Sequence, residues 1–427
     1  MREMKDSGIE WIGTIPFDWK CCKQKYEIQL INGRAYSDSE FEEDGKYRIL
    51  RVGNLFSNPT WYTSSLELPP DKYCENGDLL YSWSMSYAPV IWSGEKVIYH
   101  YHIWKTKLSS NLNKKFAYYY LSALTDALKA KIHETTMGFI TMGVMNNSYI
   151  AFPCLKEQEK IVSFLDSQCS EIDALSADIQ KEIETLERYK RSVITEAVTK
   201  GLNPDVEMKD SQTSWFGNIP QNWSTCKTLY VLKQPITDGP HTTPELYDEG
   251  IPFVSAEAVS CGNGDIDFEH IRGYISQEFY DECCKKYIPQ KYDIYMIKSG
   301  ATTGKVAIVT TEKVFTIWSP LAAFRCDENK MLPYFLYYSL QATPFQNQVQ
   351  DGWNYGTQQN IGMRTLEKLK ICKPPLTEQK QIVDYLNKKC SETNIVIKEL
   401  YRQLKTLASY KESIIYEYVT GKKEVLI

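Results

Sequence analysis

Gly300-Ala301-Thr302-Thr303-Gly304-Lys305 follows an apolar run, and its Gly-Lys step is one that phosphate-cradling loops use. The spacing does not complete such a loop. Only three residues separate the glycines, and Val306 stands where a Ser or Thr hydroxyl would hold Mg²⁺. The segment is better suited to contact than to nucleotide hydrolysis. Small residues let backbone approach a nucleic acid, threonines can donate hydrogen bonds, and Lys305 can neutralise phosphate. An ordinary hairpin turn would have the same composition. Thr237-Asp238-Gly239-Pro240-His241-Thr242-Thr243-Pro244 and Ile31-Asn32-Gly33-Arg34-Ala35-Tyr36 are loops of a related kind. Each sets hydrogen-bonding side chains around a glycine, with His241 and Arg34 reaching furthest. Solvated β-turns are the plain alternative. In Tyr99-His100-Tyr101-His102, a strand would put both imidazoles on one face. No third ligand of suitable type stands nearby, so a metal site is not expected.

Other chemistry is missing from the sequence. It has no Asn-Pro-Pro-aromatic or Asp-Pro-Pro-Tyr tetrapeptide of the kind methyltransferases carry, and Gly262-Asn263-Gly264 opens no βα unit. Pro70-Asp71 has no Glu-x-Lys at the spacing of a nuclease site, and no Ser-His-Asp order stands out. The twelve cysteines include no Cys-x-x-Cys pair, and the adjacent Cys21-Cys22 and Cys283-Cys284 are poorly spaced for zinc. The chain is expected to have no catalytic residue and no metal ligand.

Composition bounds the class further. With 427 residues, 43% of them hydrophobic and 24% charged, the chain has room for two or three ordinary globular domains. A net charge of −5 argues against a stand-alone, sequence-indifferent nucleic-acid binder; any phosphate contact must be local or come from a partner. No apolar run approaches the ~20 residues of a membrane span. Met1 to Glu10 is charged rather than signal-like, so a cytoplasmic protein with reduced thiols is expected.

The elements that would position these loops come in two copies. Trp11-x-Gly13-x-Ile15-Pro16-x-x-Trp19 recurs as Trp215-x-Gly217-x-Ile219-Pro220-x-x-Trp223. Pro153, Glu157-Gln158, Ile161-Val162, Leu165 and Cys169-Ser170-Glu171 recur as Pro374, Glu378-Gln379, Ile382-Val383, Leu386 and Cys390-Ser391-Glu392. Four segments follow: 1–153, mixed; 154–202, a long helix; 203–374, mixed again; and 375–427, a second long helix. In the first helix Leu165, Ile172, Ile179, Leu186 and Val193 recur every seven residues, with Cys169, Ile183 and Ala197 alongside. In the second, Leu386, Leu400, Leu407 and Ile414 keep that spacing, with Ile397 and Leu404 alongside and Thr393 as a polar intruder. Sustained heptads predict a coiled-coil seam. Glu157 to Lys200 as a helix is a rod of roughly 65 Å, so the two rods are expected to pair antiparallel. Gly201 and Gly421 mark the helix ends.

The mixed segments read as α+β (mixed α/β). Strands are expected at Tyr47 to Val52, Asp78 to Trp83, Val90 to Trp92 and Val97 to Trp104. In the second copy they are expected at Ile251 to Val254, Asp293 to Lys298, Val306 to Val309 and Val314 to Trp318. Helices are expected at Lys115 to His133 and Met331 to Gln350.

The duplicated Trp-x-Gly-x-Ile-Pro-x-x-Trp openings, the Glu-Gln helix starts (Phe152-Pro153-Cys154 and Pro374-Pro375 before them) and the echo of Tyr189-Lys190-Arg191-Ser192-Val193-Ile194 in Tyr410-Lys411-Glu412-Ser413-Ile414-Ile415 carry a family likeness. Together they resemble the specificity subunit of type I restriction–modification systems, along essentially the whole chain. The resemblance implies two target recognition domains, each reading one half of a split double-stranded DNA site, and paired helices that set the spacer. It also implies two modification subunits that bind S-adenosylmethionine and methylate adenine, and restriction subunits that use ATP. No cofactor is then expected on this chain. The counterpart of the Gly/Thr loop, Ser82-Trp83-Ser84-Met85-Ser86-Tyr87-Ala88, lacks Gly and Lys, and the halves differ in length. An asymmetric target is expected.

On this reading Arg34, Arg48, Arg51, Asn54, Ser84, Tyr87, His100, His102, His241, Thr242, Lys298, Ser299, Thr302, Thr303, Lys305, Gln358 and Gln359 form a pool enriched in DNA contacts. Arg and Lys favour guanine edges or phosphate, and Asn and Gln favour adenine. Tyr189, Lys190, Arg191, Tyr410 and Lys411 are candidates for docking partner subunits, or else solvated helix faces. Two other classes compete: a catalytic methyltransferase or nuclease, and a coiled-coil adaptor that does not bind DNA.

Overall fold

A computed structural model describes residues 2–84, 86–134, 140–355 and 359–425. The chain forms two compact units, residues 1–179 with 401–427, and residues 180–400. Each holds one mixed segment, the start of one long helix and the end of the other.

In the first unit, Ile28–Asn32, Ile103–Leu108, Leu79–Ser82 and Ala88–Ile91 form a four-stranded antiparallel sheet in that spatial order. A second sheet runs Tyr62–Ser64, Tyr47–Leu50, Val97–Tyr99, Tyr73–Cys74, with its two central strands parallel. Leu50, Cys74, Leu80, Val97, Tyr99 and Ile103 form one buried cluster between them. The second unit repeats the plan. Thr237–Asp238, Leu321–Phe324, Ile294–Ile297 and Val306–Ile308 form the antiparallel sheet. Tyr274–Ile275, Ile251–Val254 and Thr316–Ile317 form the other, in which the central strand again has a parallel neighbour, Thr316–Ile317.

The long helices span Leu155–Lys200 and Leu376–Val419. Most of their predicted seams are buried, Leu165, Ile172, Ile179 and Ile183 in one and Leu386, Ile397, Leu400 and Ile414 in the other, while Leu186, Val193, Leu404 and Leu407 are half-buried. Thr393 is buried as well, and satisfies its hydroxyl on the carbonyl of Lys389 one turn back. Within the first unit the pairing is antiparallel: Phe164 stacks near Tyr418, and Lys411 Nζ meets Asp173 at 2.6 Å. Within the second unit Ile194, Ala197 and Val198 share a core with Ile382, Val383 and Leu386, and Lys190 Nζ donates to Asn394 Oδ1 at 2.8 Å.

The repeated motifs are the joints between sheet and helix. Trp19 and Trp223 are each about 1% exposed, and their indole N–H groups donate to Glu157 and Glu378 in the first helical turn. Gln158 and Gln379 are fully buried; each donates to the carbonyl of the proline before its helix, Pro153 or Pro374, and accepts a backbone N–H, from Asn113 or Leu332. Gly201 and Gly421 end the helices in left-handed backbone, at φ +79° and +71°.

Two expectations change. Val97 to Trp104 is not one strand. It is Val97–Tyr99 and Ile103–Leu108, which belong to different sheets. His100 and His102 therefore lie in the turn that switches sheets rather than on one strand face. Met331 to Gln350 is two helices, Pro333–Gln341 and Thr343–Asp351. Pro344 explains the break, since it lacks the N–H a continuing helix would need and fits the first turn of a new one.

Candidate nucleic-acid interface

In each unit the same three backbone hydrogen bonds lock three loops to one another and to the end of a strand. In the first, His100 N donates to Leu50 O (2.9 Å), Tyr101 N to Arg34 O (3.0 Å) and Trp83 N to His102 O (3.2 Å). In the second, Trp318 N donates to Val254 O (2.9 Å), Ser319 N to Pro240 O (3.2 Å) and Lys298 N to Pro320 O (2.8 Å). These bonds join the glycine loop, the sheet-switching turn and the base of a hairpin into one platform. The glycines allow the approach. A Cβ on Gly33 would stand 2.4 Å from the carbonyl oxygens of Tyr99 and His100, and one on Gly239 would stand 1.8 Å from Ile317 O.

The side chains on this shared frame differ completely. Where the first unit has Arg34, Trp83, His100, Tyr101 and His102, the second has Pro240, Lys298, Trp318, Ser319 and Pro320. The first platform is aromatic. Trp83 packs edge-on to His102 with centroids 5.1 Å apart, and the two imidazoles lie 4.7 Å apart. Burial, then His102 and Arg51, pushes His100 down to about 4; burial, then Arg51, lowers His102. His100 is thus neutral at pH 7, and its Nδ1 accepts from His102 N at 3.4 Å. Arg34 pairs with Glu40 at 2.5 Å and lies over Tyr36. Arg48 pairs with Glu95 at 3.2 Å. Asn54 caps its own loop, donating to Asn58 O and Thr60 O. Ser84 and Tyr87 sit in the hairpin between Leu79–Ser82 and Ala88–Ile91, with the Tyr87 ring packed on the core.

The second platform is built on a buried charge. Asp238, 1% exposed, meets Lys286 at 2.5 Å, His241 at 3.1 Å and Lys298 at 3.4 Å. Burial works to raise its carboxyl, but the Lys286 hydrogen bond and the surrounding cations bring it below the ordinary range. Lys298 is thus turned inward at 12% exposure, while His241 and Thr242 remain exposed. Gly300–Lys305 is the tip of the hairpin joining Ile294–Ile297 to Val306–Ile308. Thr303 closes it onto Gly300 O, Thr302 lies by Ser260, and Lys305 is exposed. Gly300 N donates to Gln359 O, and Ser299 bridges to Asn360, so the segment at 359–360 edges the same loop. Gln358 lies outside the described residues.

Two residues of the second platform escaped the sequence reading. Trp318 is the counterpart of His100, and Arg272 covers its ring at 4.1 Å. The signal for Trp318 is the strand-like run Phe315-Thr316-Ile317 that ends at it, much as Val97-Ile98-Tyr99 ends at His100; Arg272 has none. On the long helices, Tyr189 and Tyr410 are each 51% exposed and Arg191 is exposed. Lys190 and Lys411 instead face the neighbouring helix.

Two equivalent platforms with unlike side chains, each seated on the paired long helices, define a duplicated recognition protein. Comparison with known proteins agrees. Residues 16–185 and 241–406 match the family model described as "Type I restriction modification DNA specificity domain". The Type I restriction enzyme EcoBI specificity subunit of Escherichia coli is 21% identical across 99% of this chain and 90% of its own length. The MjaVIII specificity subunit of Methanocaldococcus jannaschii is 24% identical across 96% and 94%. A solved chain described as "Structural basis underlying complex assembly and conformational transition of the type I R-M system" shares the fold with a TM-score of 0.61. It is 16% identical, covering 96% of this chain and 99% of that one. The chain belongs to the family of type I restriction–modification DNA specificity subunits.

Proposed function

We propose that this chain reads a bipartite, asymmetric DNA site, one half with each platform, and does no chemistry itself. The observation that carries this reading is the pair of frames: the same three backbone bonds present Arg34, Trp83 and His100 in one half and Pro240, Lys298 and Trp318 in the other. A frame held constant under changed side chains suits two readers of different sequences. Methylation and cleavage then belong to partners: two modification subunits using S-adenosylmethionine, and restriction subunits using ATP and Mg²⁺. The exposed Tyr189 and Tyr410, at matching places on the two long helices, are surfaces on which two like subunits can dock. Such partners also supply the phosphate contacts that a chain of net charge −5 lacks. The cytoplasm is where this reading places it; among the described residues no helix is long and apolar enough to cross a membrane.

The test is a domain exchange. Residues 20–150 are replaced by the matching segment of another family member, and modified adenines are mapped in the host genome. One half of the split motif should change and the other persist. A change in both halves defeats the modular reading. Methylation by the isolated chain would show that it is itself the enzyme, and binding without sequence preference would favour a mere adaptor.

A further inference from the structure

Among the described residues, five arginines of the recognition segments lie over an aromatic ring. Arg34, Arg48 and Arg325 each lie over an aromatic ring, and each is also paired with a carboxylate: Glu40 at 2.5 Å, Glu95 at 3.2 Å and Asp293 at 2.6 Å. Arg51 and Arg272 differ. Arg51 lies 5.0 Å from the centre of the Tyr62 ring and Arg272 lies 4.1 Å from that of Trp318. Both are exposed, and among the described residues neither has a carboxylate within ion-pairing distance.

They come from different segments but reach the same end of the frame. Arg51 directly follows Leu50, the residue whose carbonyl holds His100. Arg272 bonds through its backbone N to Phe253 O (3.3 Å), next to Val254, whose carbonyl holds Trp318. Each unpaired guanidinium therefore stands at the end of the parallel strand pair in its own unit, beside the position filled by His100 or Trp318. A ring seat restricts the side chain before any ligand arrives and leaves its N–H fork open, which lowers the ordering cost of a two-pronged contact. In a major groove that fork matches guanine O6 and N7.

We propose that Arg51 and Arg272 are specificity-determining residues, one per half-site, each donating to a guanine edge. This rests on the DNA-reading role proposed above. A phosphate could accept from the same fork, and the two ligands predict different outcomes.

The experiment places R272A, R272K, R51A and R51K singly in the host chromosome and maps modified adenines. With R272A, one position of one half-site should lose its guanine preference by about tenfold, and the other half should keep its motif. R51A should do the same in the opposite half. The lysine variants keep the charge but lose the planar fork, so they should relax the same positions. An unchanged motif with evenly reduced methylation would assign the arginines to phosphate and overturn the proposal. Full recovery of the motif with lysine, or change in both halves from one variant, would also overturn it. Because both side chains are exposed, the variants should melt as wild type does; were R272A to misfold, R272K carries the test. If the unaltered strain shows no split motif, it is the proposed function that fails, before any variant is considered.

Discussion

Trp223 donates its indole N–H to Glu378 Oε2 across 2.8 Å, fastening the opening motif of the second recognition segment to the first turn of the second long helix. Trp19 makes the same bond to Glu157 at 3.2 Å. In both copies a buried donor needs a charged acceptor, and the helix start supplies it. The duplicated motifs thus serve the joint between reader and rod, which both halves need in the same form.

Removing that acceptor should loosen one joint only. Glu378→Ala leaves the Trp223 N–H buried and unpaired, at a cost of about 1–3 kcal/mol. Amide exchange should accelerate around Trp223 and in the first turns of the helix from Leu376, while the segment around Trp19 keeps its protection. Unchanged exchange at Trp223 would count against the joint.

Lys190 and Lys411 occupy the same place in the repeated helix, yet their partners differ, Asn394 for one and Asp173 for the other. Burial lowers the Lys190 ammonium below its usual value of 10.5. Below the lowered pKa the folded state carries the full penalty of that buried charge. As pH rises from there towards 10.5 the penalty disappears, so stability rises through this window. Asn394→Asp provides a carboxylate, and should flatten the slope and raise neutral-pH stability by about 0.5–1 kcal/mol. Denaturant melts from pH 7 to 10.5 measure it, and an unaltered slope argues against the contact.

His100 gives the opposite end of the pH range. Its folded pKa is about 4, against 6.5 for an ordinary histidine. Between these values the unfolded chain takes up a proton that the folded ring refuses, so stability is lost as pH falls through this window. His100→Phe keeps a ring in the turn and should remove that contribution. Its NMR titration in the wild-type chain should show a neutral imidazole at pH 5.5. A protonated ring at that pH would refute the burial argument.

The close approach at Gly239 is open to a direct check. Alanine there would press its Cβ to 1.8 Å from Ile317 O and 2.8 Å from Trp318 Cα. Backbone cannot yield cheaply, so Gly239→Ala should cost a few kcal/mol and open the loop–turn contact. Selection of bound duplexes by the full chain should show loss in one half-site with the other intact. A variant of wild-type stability would mean the loops are not held as described.

Much of the architecture was legible because it rests on local pattern. The heptads of Leu165 to Val193 and Leu386 to Ile414 predicted rods, and the helices span Leu155–Lys200 and Leu376–Val419. Val97 to Trp104 reads as one strand by composition, because six of its eight residues are strand-forming types whether or not the chain changes sheets between Tyr99 and Ile103. Of the candidate interface, the glycine loops and both hairpins were visible by composition. Arg272 was not, since a cation far from those loops in sequence carries no mark of the ring it will cover.

The sequence by itself determined that this protein is a duplication, where its rods begin and end, and which family it resembles, because periodicity and repetition survive in one dimension. Only the tertiary structure decided which of the candidate side chains are exposed. The same composition that suggested Lys298 as a free contact left it turned towards buried Asp238, since a desolvated carboxylate must gather cations from wherever the fold supplies them. The equivalence of His100 with Trp318, and the seats of Arg51 and Arg272, depend on hydrogen bonds between segments distant along the chain, and no local pattern encodes them.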